Sequence, residues 1–222
     1  MRFLFCLLLT CIFASTYNVG DQISIGHQNA EHEICYGSNL DPNGDGVFQF
    51  SELNGNLNGG DYKVILLEMS ASWWPACYSG LSSFDNFIQQ YSNNEHVFIF
   101  SSLGDIGQPY SCYQWGAQGT SGMPLITDDT GFPLFNLFNT ENLLPSTVFI
   151  DHNMTVYYQE AGWNSNVASN KIEEMLYNLE NSLILAPSMN LIISPDIGDN
   201  DNILNPGEEF QITFTISNNS FY

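Results

Sequence analysis

From residue 61 onward, apolar runs of strand length alternate with amphipathic stretches of helix length. Residues 62–69 form an apolar run that predicts a buried strand. Between 77 and 91, Leu81, Phe84, Phe87, Ile88 and Tyr91 recur at spacings of three and four, which places them on one face of a helix. Further strands are expected at 96–101, 124–127, 147–151 and 155–159, the last two joined by a turn at His152-Asn153. Short helices are expected at 110–118 and 132–138. The most regular helical pattern is 164–183, where Val167, Ile172, Met175, Leu176, Leu179 and Leu183 share a face. This interleaving predicts an α/β domain over 61–185, preceded by an extension at 16–60.

The two ends have a different character. Met1-Arg2, an apolar stretch over 3–13 and the small residues Ala14-Ser15 have the layout of a secretory signal peptide, residues 1–15. The stretch is shorter than the about 20 apolar residues a bilayer core requires, so no membrane insertion is expected once the leader is removed. Leu8-Leu9-Thr10-Cys11 loosely resembles a lipoprotein signal, which leaves a lipid anchor at Cys11 as an alternative to a secreted or periplasmic protein. At the other end, the acidic segment 196–208 is followed by the alternation Phe210-Gln211-Ile212-Thr213-Phe214-Thr215-Ile216. It resembles the opening of an immunoglobulin-like β-sandwich. Residues 188–222 hold too few strands to bury a sandwich core, so a partial β domain or a tail is expected.

Charge narrows the choice of partner. The formal net charge is -21, and Arg2, Lys63 and Lys171 are the three permanent cations. A field of that sign argues against nucleic acid and anionic membranes and favours metal cations or basic proteins. The chain is 44% hydrophobic, enough to fold in spite of its charge. No phosphate-binding loop, catalytic triad or zinc-ligand spacing is present, and the four histidines are scattered, so no organic cofactor is expected.

Downstream of the leader lie Cys35, Cys77 and Cys112, an odd count that in an oxidising compartment implies one disulfide and one spare thiol, or three thiols kept reduced. Ala71-Ser72-Trp73-Trp74-Pro75-Ala76-Cys77 falls at the junction between the predicted strand 62–69 and the helix that follows. With Leu144-Pro145-Ser146-Thr147-Val148-Phe149-Ile150-Asp151 and the order of elements around both, this segment resembles thioredoxin-fold proteins of the redoxin group, similar to extracytoplasmic TlpA-like thiol-disulfide oxidoreductases. The resemblance implies a thioredoxin-like fold, a central mixed sheet flanked by helices, with partners that are protein thiols, disulfides or extended peptides. It also implies a cis bond before Pro145, facing the active site, and a tryptophan at Trp73 packed beside it.

The family's first cysteine is replaced here by Trp74. That cysteine, exposed at a helix N-terminus, has its thiolate favoured by the helix dipole and attacks the substrate disulfide; the second, at the place of Cys77, resolves the mixed disulfide. Indole has no such chemistry, so exchange is expected to be weak or lost, and Trp74 becomes an aromatic contact for a bound peptide or a remnant. Peroxiredoxins resemble the region too, but they use a threonine and a proline where Trp74 and Ser70 stand. Three cysteine readings stay open: Cys77 as an inert buried side chain, a displaced redox pair of Cys77 with Cys112, and a structural clip between Cys35 and Cys112.

A second constellation lies upstream. Residues 41–52, Asp41-Pro42-Asn43-Gly44-Asp45-Gly46-Val47-Phe48-Gln49-Phe50-Ser51-Glu52, match the twelve-residue EF-hand-like calcium loop. Asp41, Asn43 and Asp45 would give side-chain oxygens, Val47 a carbonyl, Gln49 a water-mediated contact and Glu52 a bidentate carboxylate. Gly37 and Ser38 before it, and Asn54-Gly55 after it, argue against the long flanking helices of a full EF-hand. The expected role is a calcium-stiffened structural loop.

Overall fold

The computed structural model describes residues 16–119 and 123–182 together with the backbone of two strands at 185–193 and 212–218. Residues 1–15, on which the leader and Cys11 readings fall, and residues 194–211 lie outside the described residues.

In chain order the elements are α1 (Ile25–Gln28), β1 (His32–Tyr36), β2 (Val47–Phe48), α2 (Gly55–Asn58), β3 (Val64–Ser70), α3 (Pro75–Tyr91), β4 (Val97–Leu103), α4 (Cys112–Gly116), β5 (Leu125–Asp128), α5 (Pro133–Phe138), β6 (Ser146–Ile150), β7 (Val156–Ala161) and α6 (Ser165–Glu180). Short 3-10 turns at Ser38–Leu40 and Phe50–Leu53 complete the first part. One sheet runs in the order β2-β1-β5-β4-β3-β6-β7. Strand β3 is parallel to β4, and β4 to β5, whereas β6, β7, β1 and β2 join antiparallel.

Burial explains the layers. All seven residues of β3 are buried, as a strand covered on both faces requires. Ile65, Leu67 and Met69 point to one core with Phe100, Val148 and Ile150, while Val64 and Leu66 point to the other with Phe149. The second core is closed by α3 (Leu81, Phe84, Phe87) and α6 (Ala168, Ile172, Met175). The first is closed by α5 (Leu134, Phe135, Phe138) and by Tyr17, Ile23, Phe48, Phe50 and Leu53 from the N-terminal stretch. Residues 16–60, read from the sequence as an extension, thus supply two strands and five core side chains to the sheet's open face. Phe48 alone meets Phe50, Phe98 and Phe100 with ring centroids 4.5–5.8 Å apart.

The chain divides into two compact units, up to Leu179 and from Glu180 onward. In the second, β8 (Leu185–Ile193) pairs antiparallel with β9 (Ile212–Asn218). The acidic segment between them lies outside the described residues. Among the described residues no helix is long and apolar enough to cross a membrane.

Candidate functional site

The site forms where β3 hands over to α3. Trp74 is the N-cap of α3 in extended conformation, its carbonyl accepting from Tyr78 N at 3.2 Å, and Pro75 takes the first helical position, where a missing N–H costs nothing. Trp73 and Trp74 are 51% and 41% exposed, their rings edge to face at 5.5 Å. The bond from Leu144 to Pro145 is cis, as the resemblance implied, and so is the bond from Gln108 to Pro109. A hydroxyl from Ser72 donates to Gln108 O at 2.8 Å and ties the second cis segment to the junction.

Trp73 and Trp74 form one wall of a groove of about 470 Å³; Phe132 and Phe135 form another, and Leu143 and Leu144 lie at its end beside Pro145. Phe132 holds this place in a rarely occupied backbone conformation for a bulky residue, φ 63. Two contacts hold it there. A Cβ on Gly104 would lie 2.1 Å from the Phe132 ring, so the ring occupies the space that only glycine leaves open. The carboxylate of buried Asp129 accepts from Leu134 N at 2.7 Å and Phe135 N at 3.1 Å, satisfying the start of α5. Burial holds the Asp129 carboxyl up at about 6.

Cys77 lies one turn into α3 and is buried. Burial, and then the nearby Glu68 carboxyl, push its thiol up to about 11. Glu68 sits in the middle of β3, buried, accepting hydrogen bonds from the hydroxyls of Ser70 and of Ser101, the latter at 2.7 Å. Its pKa is raised, because nothing cationic offsets its desolvation. Across the sheet Ser101, Glu68, Thr147 and Glu160 stand in register, a polar row on the face covered by α3. Glu68 was concealed in the sequence by the apolar run around it; a single acid in an otherwise buried strand was its signal.

The other cysteines are joined to each other. The Cys35–Cys112 disulfide spans 77 residues with Cα atoms 5.9 Å apart. Cys35 is the extra residue of a bulge where β1 meets β5, and Cys112 opens α4 behind a capping box of Ser111 and Gln114. The pairing corrects the displaced-pair reading: Cys112 is committed to Cys35, and Cys77 is a free, buried thiol.

The acidic loop spans 41–52. Asp41 accepts from Asn43 N at 3.2 Å and Gly46 N at 2.8 Å, Asp45 from Val47 N at 3.1 Å, and Asn43 donates to Glu52 Oε1 at 3.0 Å. Gly44 and Gly46 take the left-handed conformations the turn needs, φ 73 and 90. Gln49 donates to Asn29 O instead. Glu52 Oε2 is buried without a partner, and burial, followed by Asp41 and Asp45, lifts its carboxyl to about 7. Among the described residues no group of three or more His, Cys, Asp or Glu side chains is arranged to hold a metal ion. Flanking 3-10 turns replace EF-hand helices.

No family model matches this chain, and no curated protein does. Solved structures do share its fold. A protein described as a thiol:disulfide interchange protein DsbE from Chlorobium tepidum superposes with a TM-score of 0.53 over 72% of this chain and 99% of its own, at 16% identity. Mycobacterium tuberculosis DsbF gives 0.51 over 69% and 99%, at 14% identity. The mitochondrial 2-Cys peroxiredoxin of Plasmodium falciparum gives 0.51 over 72% and 95%, at 15% identity. The domain therefore has a thioredoxin-like α/β fold, a mixed sheet between helices.

Proposed function

We propose that this is an extracytoplasmic thioredoxin-fold protein that binds extended polypeptide in the groove beside Pro145 and has weak or no disulfide exchange of its own. The observation that carries the reading is the contrast at the start of α3: the groove walled by Trp73 and Trp74 is open and aromatic, while the one free thiol among the described residues, Cys77, is buried and raised to about 11. Exchange needs an exposed thiolate to form the mixed disulfide and a second thiol to resolve it. Trp74 holds the first place and Cys35 and Cys112 are already bonded to each other, so a single step of attack has no partner. The fold neighbours named for thiol:disulfide interchange support the ancestry of the site, and the signal-peptide pattern of residues 1–15 supports the compartment. Extended peptide can pair with backbone at the groove's Leu143–Pro145 edge and seat alternate side chains between the walls.

The test is insulin reduction. Wild-type protein is expected to show no catalytic turnover, and Trp74→Cys to gain measurable turnover. Turnover by the wild type that Cys77→Ala abolishes would overturn the reading.

A structural calcium ion at 41–52 belongs to the same proposal. Its support is the buried, unpartnered Glu52 Oε2, whose carboxyl feels the charges of Asp41 and Asp45, with Asn43, Gln49 and Glu52 lining one depression. When bound, calcium would supply the positive charge that these oxygens lack. Phe48 and Phe50, inside the loop, are core residues, so ordering the loop is coupled to stability of the whole sheet. Millimolar calcium is expected to raise the thermal midpoint and Glu52→Gln to remove the rise; no heat of binding and no shift would refute the site.

A further inference from the structure

The groove beside Pro145 has apolar walls, and the loops that carry them hold acidic residues close in sequence to its lining. Its polar lining is neutral, the amides of Asn136 and Asn142. The loops that carry the walls are anionic: Glu141 adjoins Asn142 and is exposed, Asp128 lies three residues before Gly131, and Asp105 follows the Gly104 on which Phe132 rests.

Among the described residues no cation answers them. Lys63 precedes the opposite end of β3 from the groove and is held by Asp61 at 2.7 Å and by Glu95 O at 2.6 Å. Lys171 lies on α6, paired with Glu174 at 2.7 Å and 5.3 Å from the centre of the Tyr158 ring. The remaining cation of the sequence is Arg2, in the leader. The walls themselves suit positive charge: the faces of indole and phenyl rings attract ammonium and guanidinium groups.

We propose that the occupant of the groove is a cationic extended peptide, its Lys or Arg side chains lying against Trp73 and Trp74 and drawn by the negative charge of the loops that carry the walls, Glu141 and Asp128 among them. This rests on the reading of the groove as a peptide site and names its substrate class. Net charge of -21 adds long-range steering toward the same partners, an effect that salt screens.

The experiment is a fluorescence-anisotropy titration of the full mature chain with three labelled octapeptides, identical except for Lys, Gln or Glu at two positions. The expected result is binding of the Lys peptide at least tenfold tighter than the Glu peptide, with Gln between, and a preference that shrinks severalfold at 0.5 M salt. Trp73→Leu should weaken all three. Glu141→Gln combined with Asp128→Asn should erase most of the Lys preference and leave the Gln peptide unchanged, with far-UV circular dichroism checking that each variant is folded. Equal binding of the three, or preference for Glu, overturns the inference and leaves the peptide groove standing. Binding of none of them overturns the groove and the inference together.

Discussion

Removing the Cys35–Cys112 bond should destabilise this domain by an amount the fold sets in advance. The bond joins residues 77 apart in sequence, clipping strand β1 to helix α4. Chain entropy for a closed loop of that size corresponds to about 4.5 kcal/mol at 25 °C, and typical measured values fall at about 2–4 kcal/mol. The lower part of that range applies where the denatured chain keeps residual structure. A Cys35→Ala, Cys112→Ala variant is therefore expected to lose about 2–4.5 kcal/mol, or roughly 6–14 °C in thermal midpoint for a unit of this size. The assay is urea unfolding followed by tryptophan fluorescence and circular dichroism, with and without dithiothreitol. Reduced wild type should converge on the double variant, while Cys77→Ala should respond to reductant as the wild type does, since its thiol is free. Two results would refute the reasoning: coincident unfolding of oxidised and reduced wild type, or non-reducing peptide mapping that finds Cys77 in the bond.

The other predictions concern the groove and the buried carboxyls. Gly104→Ala brings a Cβ to 2.1 Å from the Phe132 ring, so Phe132 must leave its place; a loss of about 1–3 kcal/mol and at least fivefold weaker peptide binding are expected, read by melting and anisotropy. Asp129 binds its proton more tightly folded than unfolded, from 3.8 to about 6, so stability falls by up to about 3 kcal/mol as pH rises across that window and is level above it; Asp129→Asn should flatten that part of a melting series from pH 4 to 7. Glu68 is raised by burial as well, so its contribution also falls as pH rises from 4.5 through its folded value, and Glu68→Gln should remove that slope while its one side-chain oxygen keeps an acceptor for only one of Ser70 and Ser101.

Much of the fold was legible because its periodicities are strong. The run at 62–69 could only be a buried strand, and it is β3, Val64–Ser70; the three-and-four spacing after Cys77 is α3, which the proline extends back to Pro75. What escaped the sequence is what periodicity does not encode. β1 is an edge-side strand with a graded burial pattern and a bulge at Cys35, and β2 has two residues, so neither offers a clean alternation. The helix expected over 164–183 ends at Glu180, and that over 110–118 shrinks to Cys112–Gly116, for which Ser111 and Gln114 were a readable cap. Of the site, Trp73, Trp74, Cys77 and Pro145 come from neighbouring or motif positions and were visible. Phe132 and Phe135 were not, because their part in the groove depends on a positive φ and on an absent side chain at Gly104, which lies far away in sequence.

Glu68 bears on how reactive the Cys77 thiol can be under the proposed function. Burial disfavours both ions, and the Glu68 charge further disfavours a Cys77 thiolate. Near neutral pH the thiol stays protonated, at about 11. A cysteine at position 74 would stand outside this trap, at the exposed N-cap of α3, where the helix end favours its thiolate. Under the proposed function turnover hinges on that one side chain, whereas the groove is lined by Trp73, Phe132 and Leu144, none of which needs a thiol. Under the proposed function, binding and exchange are separable in this fold, and Trp74→Cys should add exchange while leaving the aromatic wall at Trp73 and the cationic preference in place.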